Sequence, residues 1–208
     1  MRKTVLATAI AASTFAVSAA AEPVIGDNVT ATAGIISVSD FDPDSAFAFG
    51  AKLDYFFMDE VYGIGQFRRT QISDSDEFGD YSTATSIFAG GAGYEFNLSP
   101  GMGVYGEGAF GLASFSSEFD GQSFSDSGTA FILAGGLRYN MDAIYASAGL
   151  TRTTISIDAG EGVSVSSTDM TVDLWGGYAI TEAILVGAAI SLDPGDFTEF
   201  SLAGTYRF

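Results

Sequence analysis

The most constraining feature of this chain is an alternation of period two that runs to its last residue. Counting back from the end, Phe208, Tyr206, Gly204, Leu202 and Phe200 share one parity, and Arg207, Thr205, Ala203, Ser201 and Glu199 the other. Successive side chains of a strand point to opposite faces, so such a segment has one face for oil and one for water. The pattern recurs upstream. Within 45–57, Phe47, Phe49, Leu53, Tyr55 and Phe57 oppose Ala48, Gly50, Lys52, Asp54 and Phe56. Within 129–141, Phe131, Leu133, Leu137, Tyr139 and Met141 oppose Ile132, Arg138 and Asn140; within 168–180, Met170, Val172, Leu174 and Tyr178 oppose Asp169, Thr171 and Asp173. The repeat predicts an all-β chain of ten strands, at 28–38, 45–57, 61–72, 83–97, 101–115, 128–141, 143–157, 168–180, 183–192 and 197–208. Eight strands, with one hairpin folded elsewhere, is the alternative.

The first residues, MRKTVLATAIAASTFAVSAAAEP, join a basic start at Arg2 and Lys3 to an Ala-rich apolar stretch and a small-residue site at Ala19–Ala21. That is the layout of a cleaved secretory signal peptide, 1–21, leaving 22–208 as a single domain. Beyond it no run of 18 apolar residues exists; the nearest, AILVGAAISL, covers only 183–192. Setting aside Arg2 and Lys3 leaves six basic residues against 26 acidic ones, a net charge of −20. A chain so acidic has no basic patch with which to hold nucleic acid. It has no cysteine, so no disulfide holds it together, and no histidine, which removes the commonest general base and most zinc sites. Its mean hydropathy is nevertheless positive, at +0.27. Charge and grease are therefore separated in space.

The connections between the expected strands alternate short and long. The long ones, 39–44, 73–82, 116–128, 158–169 and 193–199, carry 16 of the 26 acids and none of the six basic residues. In a meander, alternate connections lie at the same end, which gives a tight end and a loopy, acidic end. Aromatics collect near the tight end, Tyr55, Tyr62, Tyr105, Tyr145, Tyr206 and Phe208 among them. Rings at one level suit the height where acyl chains meet headgroups.

Signal peptide, dyad repeat, alternating connections and the terminal GTYRF together make the chain similar to the small outer-membrane β-barrels of Gram-negative bacteria, the OmpA/OmpX-like and opacity or porin-like group. The resemblance covers the whole of 22–208. It implies a transmembrane antiparallel up-and-down barrel with no cofactor and with its C-terminus at the periplasmic side. It also implies that the last strand, through Leu202, Tyr206 and Phe208, is read by the barrel-assembly machinery. Physics points the same way: in lipid every backbone polar group needs a partner, and strands achieve this only in a closed barrel without edges.

Parity then assigns charges. Lys52, Asp54, Arg68, Glu95, Glu107, Arg138, Asp173 and Arg207 fall on the inward face, since a charge facing the hydrocarbon costs about 2–4 kcal/mol at mid-depth. They read either as an ion-pair network filling the lumen or as a narrow polar path. Arg69 and Arg152 fall on the lipid parity near the loopy end; they snorkel to the interface or pair with lipopolysaccharide phosphates. Asp40, Asp42 and Asp44, with Asp74, Asp76, Glu77 and Asp80, are the kind of carboxylates hard divalent cations favour. An EF-hand loop would need Gly at 45 and Glu at 51, where this chain has Ser45 and Ala51. These acids therefore read as solvated loops able to bridge cations to the anionic lipid surface, with no built metal site. The enzymes of this scaffold, outer-membrane proteases and lipid A deacylases, use an active-site histidine, which this chain lacks. The reading is a non-enzymatic barrel displaying five acidic surface loops. A narrow porin-like channel for small solutes is the alternative.

Overall fold

A computed structural model describes residues 27–38, 45–58, 60–76, 79–99, 101–119, 121–158, 164–193 and 197–208. The proposed signal peptide and the 39–44 aspartates lie outside these residues. Among the described residues there are ten strands and no helix: β1 (Asn28–Val38), β2 (Ser45–Phe56), β3 (Val61–Asp76), β4 (Gly79–Ser99), β5 (Met102–Phe119), β6 (Gln122–Met141), β7 (Ile144–Asp158), β8 (Ser164–Ala179), β9 (Ile184–Asp193) and β10 (Phe197–Arg207). Each pairs antiparallel with its neighbours in sequence, and β1 pairs with β10 to close the barrel. That seam runs without a slip from Asn28 opposite Arg207 to Val38 opposite Phe197, and the Phe208 amide donates to the Asp27 carbonyl at 3.0 Å. The terminus is held in the sheet, and the ten-strand reading is the observed one.

Alternation does the sorting that the sequence promised. Along β10 every second residue from Phe197 to Thr205 is buried, while Phe200, Leu202 and Tyr206 face outward; Leu202 is 73% exposed. The outer belt continues around the barrel through Phe49, Phe88, Leu112, Phe131 and Leu150. Large apolar side chains in this position are at rest only in lipid.

The short turns use residues suited to them. Gly101, at φ 78°, follows Pro100 between Ser99 and Met102, and Asp142 takes φ 55° between β6 and β7. A positive φ is open to glycine and tolerated by aspartate.

The other end departs from expectation. The segments 73–82 and 116–128 are not loops but the paired continuation of β3 to β6, closed by two-residue connections with Asp76 opposite Gly79 and Phe119 opposite Gln122. Gly121, at φ 76°, makes the second of these turns. β4 is thus 21 residues long and β6 20, against 10 for β9 and 11 for β1. The barrel has one tall wall and one low wall. Each span of the membrane needs only about 9–11 residues, so the tall wall stands clear of it.

The outward face changes character at Arg69 and Arg152. Below them the outer face carries Phe67, Phe88, Leu112 and Leu150. Above them the same parity turns to hydroxyls: Ser86 and Ser82, Ser114 and Ser116, Thr129 and Ser127, Thr154 and Ser156. The serines that made these stretches look like loops are the water-facing half of a strand pattern.

Candidate functional site: the barrel lumen

The lumen is filled in layers. Its tight-end layer is built by five adjacent strands, β2 to β6, each contributing a polar side chain at an inward position. Lys52 of β2 lies 2.8 and 2.9 Å from the two carboxylate oxygens of Glu107 on β5, and 3.3 Å from its own neighbour Asp54. Arg138 of β6 donates from Nη1 to Glu95 Oε2 on β4 at 2.5 Å and from Nη2 to Glu107 Oε1 at 2.9 Å. The Tyr62 hydroxyl on β3 donates to Glu107 at 2.7 Å and receives Arg138 Nη2 at 3.3 Å. The guanidinium lies 4.3 Å above the Tyr105 ring centre. Two cations, three carboxylates and two phenol rings therefore form one connected cluster, with Glu107 at its hub. Lys52, Asp54, Glu95 and Arg138 are all below 5% exposed.

Glycine makes room for the rings. A Cβ on Gly93 would stand 2.6 Å from the Tyr62 hydroxyl, and Gly149 leaves space beside the hydroxyl of Tyr105. Packing of this kind tolerates no added methyl group without displacement.

The other inward charges are held separately. Arg68 pairs with Glu199, which reaches it from β10 across the barrel, and both are buried. Asp173 accepts hydrogen bonds from Thr151 at 2.5 Å and Thr171 at 3.3 Å. Arg207 lies 5.0 Å over the Tyr145 ring and donates to its hydroxyl at 3.1 Å. Beside Tyr145, Trp175 packs with Leu185, Ala189 and Ala203, filling the side of the lumen opposite the charged cluster. Towards the tall end an apolar layer follows: Ile87, Ala89, Ala109, Ala113, Ala130, Ile132 and Ile155.

All eight charges expected inside are thus placed inside, but as one cluster of five and three separate partnerships. Two assignments are corrected. Tyr62, Tyr105 and Tyr145 are not part of a lipid-level girdle; they face inward, Tyr62 with no exposure at all. Asp169 and Glu199 are not loop acids but buried strand residues. Parity carried the signal in both cases, since Tyr62 shares that of Arg68, Tyr105 that of Glu107 and Glu199 that of Arg207. Arg69 and Arg152 do point outward, Arg69 lying 3.5 Å from the Ser86 hydroxyl. Among the described residues no group of three or more Asp and Glu side chains is arranged to hold a metal ion; the three carboxylates of the lumen cluster are held by Lys52 and Arg138 instead.

The family whose description is "Outer membrane protein beta-barrel domain" matches residues 5–143. The chain belongs to this family. It is therefore an outer-membrane β-barrel protein. Solved structures share the architecture at low identity. Neisserial surface protein A, from Neisseria, is 12% identical over 88% of this chain and 98% of its own, with a TM-score of 0.51. The beta domain of the Bordetella autotransporter Brka is 13% identical over 88% and 98%, at 0.57. The transport unit of the autotransporter AIDA-I from Escherichia coli is 11% identical over 99% and 97%, at 0.56. At such identities the likeness is one of fold. Among curated proteins none is similar enough in sequence to count as a relative.

Proposed function

We propose that this outer-membrane barrel is a closed, non-enzymatic anchor whose work is done at its tall, acidic end, outside the cell, with the C-terminus at the periplasmic side. The observation that carries the reading is the Arg138–Glu95–Glu107–Lys52 cluster, buried and roofed by an apolar layer. A barrel of about eight to ten strands has an interior only wide enough for its own side chains, and these two layers occupy it. In planar bilayers the purified protein is expected to give no discrete conductance steps. Reproducible openings would favour the narrow-channel reading. That reading draws its support from a buried hydroxyl oxygen without a protein partner, that of Thr153, which suits a water.

The outward face supports a lipid partner. Arg69 and Arg152 stand where apolar side chains give way to hydroxyls, the height of lipid phosphate. Next to Arg69 a groove of about 620 Å³ runs over Phe67, Phe88 and Leu112, with Ser86, Ser114 and Thr129 at its upper rim. An acyl chain below and a phosphate on the guanidinium match that layout, and arginine suits phosphate. The Arg69→Ala/Arg152→Ala pair is expected to co-purify with severalfold less lipopolysaccharide than the parent after mild detergent extraction. Equal retention would leave both arginines as snorkelling side chains.

The outward row of Leu202, Tyr206 and Phe208 supports recognition of β10 by the assembly machinery and favours the periplasmic placement of this end. Acids at the opposite end, Asp74, Asp76 and Asp80 with the 39–44 aspartates, are assigned a looser role. Divalent cations bridge them to anionic lipid without a chelating cage.

A further inference from the structure

The tall wall has a second face, and its chemistry is the reverse of what lies below. In the membrane the barrel is apolar outside, and its inside holds the buried charges beside two apolar clusters. Above Arg69 and Arg152 the outside turns polar, serine and threonine with Gln71, Asp80 and Glu118, and aromatic side chains move to the inside. Tyr81 lies directly across β4 and β5 from Phe119. Phe124 of β6 is opposite Ser117, so Phe115 and Phe119 are its two diagonal neighbours. All four share the parity of buried inward residues on their strands: Tyr81 with Thr83, Phe115 and Phe119 with Ala113, and Phe124 with Ala130. Tyr81 and Phe115 are half-buried, but Phe119 and Phe124 are 46% and 62% exposed. Val165 of β8, on the inward parity as well, is 58% exposed. These rings stand beyond the level that lipid covers. A contiguous aromatic patch in water marks an interaction surface.

Charge says what fits it. At the rim of the same hairpins, Asp80 and Glu118, with Ser73 and Ser82, line a groove of about 370 Å³ that also reaches Asp74 and Tyr81. On the aromatic side, Asp74 is opposite Tyr81 and Asp126 opposite Phe115. The outward connections and the wall above Arg69 and Arg152 contain no lysine or arginine at all. A second copy of so acidic a chain is repelled, and so is any anionic polymer. A basic segment with apolar side chains is attracted by the field and held by the rings, through burial and cation–π contacts.

We propose that the β4–β5–β6 hairpin wall is a docking face for a cationic polypeptide segment carrying aromatic or aliphatic side chains, centred on Phe119 and Phe124. That the docking occurs at the cell surface rests on the orientation proposed above; the docking itself does not.

The test uses the purified protein in nanodiscs of zwitterionic phospholipid, titrated with a short peptide alternating lysine and phenylalanine. Saturable binding is expected. Phe119→Ser/Phe124→Ser should weaken it about tenfold, the scale of losing an aromatic anchor. Asp80→Asn/Glu118→Gln should weaken it more at low salt than at high salt. Both pairs are exposed, and heat-modifiable gel migration verifies that each variant still forms the barrel. Undiminished binding by the phenylalanine pair variant would overturn the proposal. So would equal affinity for a lysine–serine peptide, or displacement by a neutral oligosaccharide, which would make the patch a sugar site. Separately, Ser123→Cys in intact cells should react with a membrane-impermeant maleimide. If it does not, the surface orientation fails, while the nanodisc titration still decides the docking.

Discussion

Arg138→Ala is expected to lower the unfolding free energy of the barrel by about 3–5 kcal/mol, the cost of stranding buried carboxylates by removing their partner. The value follows from the geometry. Arg138 is 2% exposed and serves Glu95 and Glu107 at once, with Tyr62 and Tyr105 packed against its guanidinium. Without it Glu95 has lost its ion-pair partner, and Glu107 is left to Lys52 and Tyr62. The measurement is a urea titration in lipid vesicles followed by fluorescence of Trp175, the single tryptophan, which is itself buried in the lumen. Replacing Glu95 as well, as Arg138→Met/Glu95→Met, should recover much of the loss, because a buried pair exchanged for apolar groups is often neutral. A loss of only about 1 kcal/mol or less, the scale of a solvated ion pair, would mean that water reaches these charges. The closed-lumen reading would then give way to the channel.

Leu202→Arg is the second large effect, about 2–4 kcal/mol of lost stability, set against about 0–1 kcal/mol for Tyr206→Arg on the same face of the same strand. Both side chains point outward from β10, and Leu202 lies near the middle of the strand while Tyr206 is close to its end. Depth alone separates them, since hydrocarbon at mid-span offers an arginine nothing to pair with and the interface does. Refolding each variant into vesicles and comparing urea midpoints reads the difference. Equal costs at the two positions would show that the span is centred elsewhere and that the belt is shifted along the strands.

Most of the membrane-embedded structure was legible because a closed barrel in lipid leaves alternation nothing to compete with. Lys52, Glu107, Arg138 and Asp173 could be assigned inward from parity alone, and the ten strands from the repeat. Two kinds of detail escaped. The first was aromatic. Tyr62 and Tyr105 near a short turn look like interface rings, yet parity sends them inward to pack on Arg138. Proximity to a turn was a weaker argument than the side a residue faces. The second was where a strand stops. Above the lipid, the outward parity of β3 to β6 is mostly serine and threonine with a few acids, so apolar alternation vanishes although pairing continues. The Asp120-Gly121 dipeptide was the available sign, for it favours a two-residue hairpin over an open loop. Glu199 fell to the same error: placed in a connection, it was not considered as the partner that Arg68 requires. Which charges meet, by contrast, could not be read from one chain. Arg68 and Glu199 stand on strands separated by two others, and their encounter depends on how the closed sheet curves.

Every pairing in this barrel but one joins strands that follow each other in the chain, and each such step closes only a short loop. The exception is the seam between β1 and β10, which must draw together segments at opposite ends of the described sequence. Its closure spans nearly the whole described sequence, at a cost only slowly greater than that of a short loop. Until it closes, two strands stand with unpaired edges, and the chain is most exposed to wrong partners. The hydrogen bond from Phe208 to Asp27 is thus the clasp of a ring, closing the one seam that the order of the chain does not.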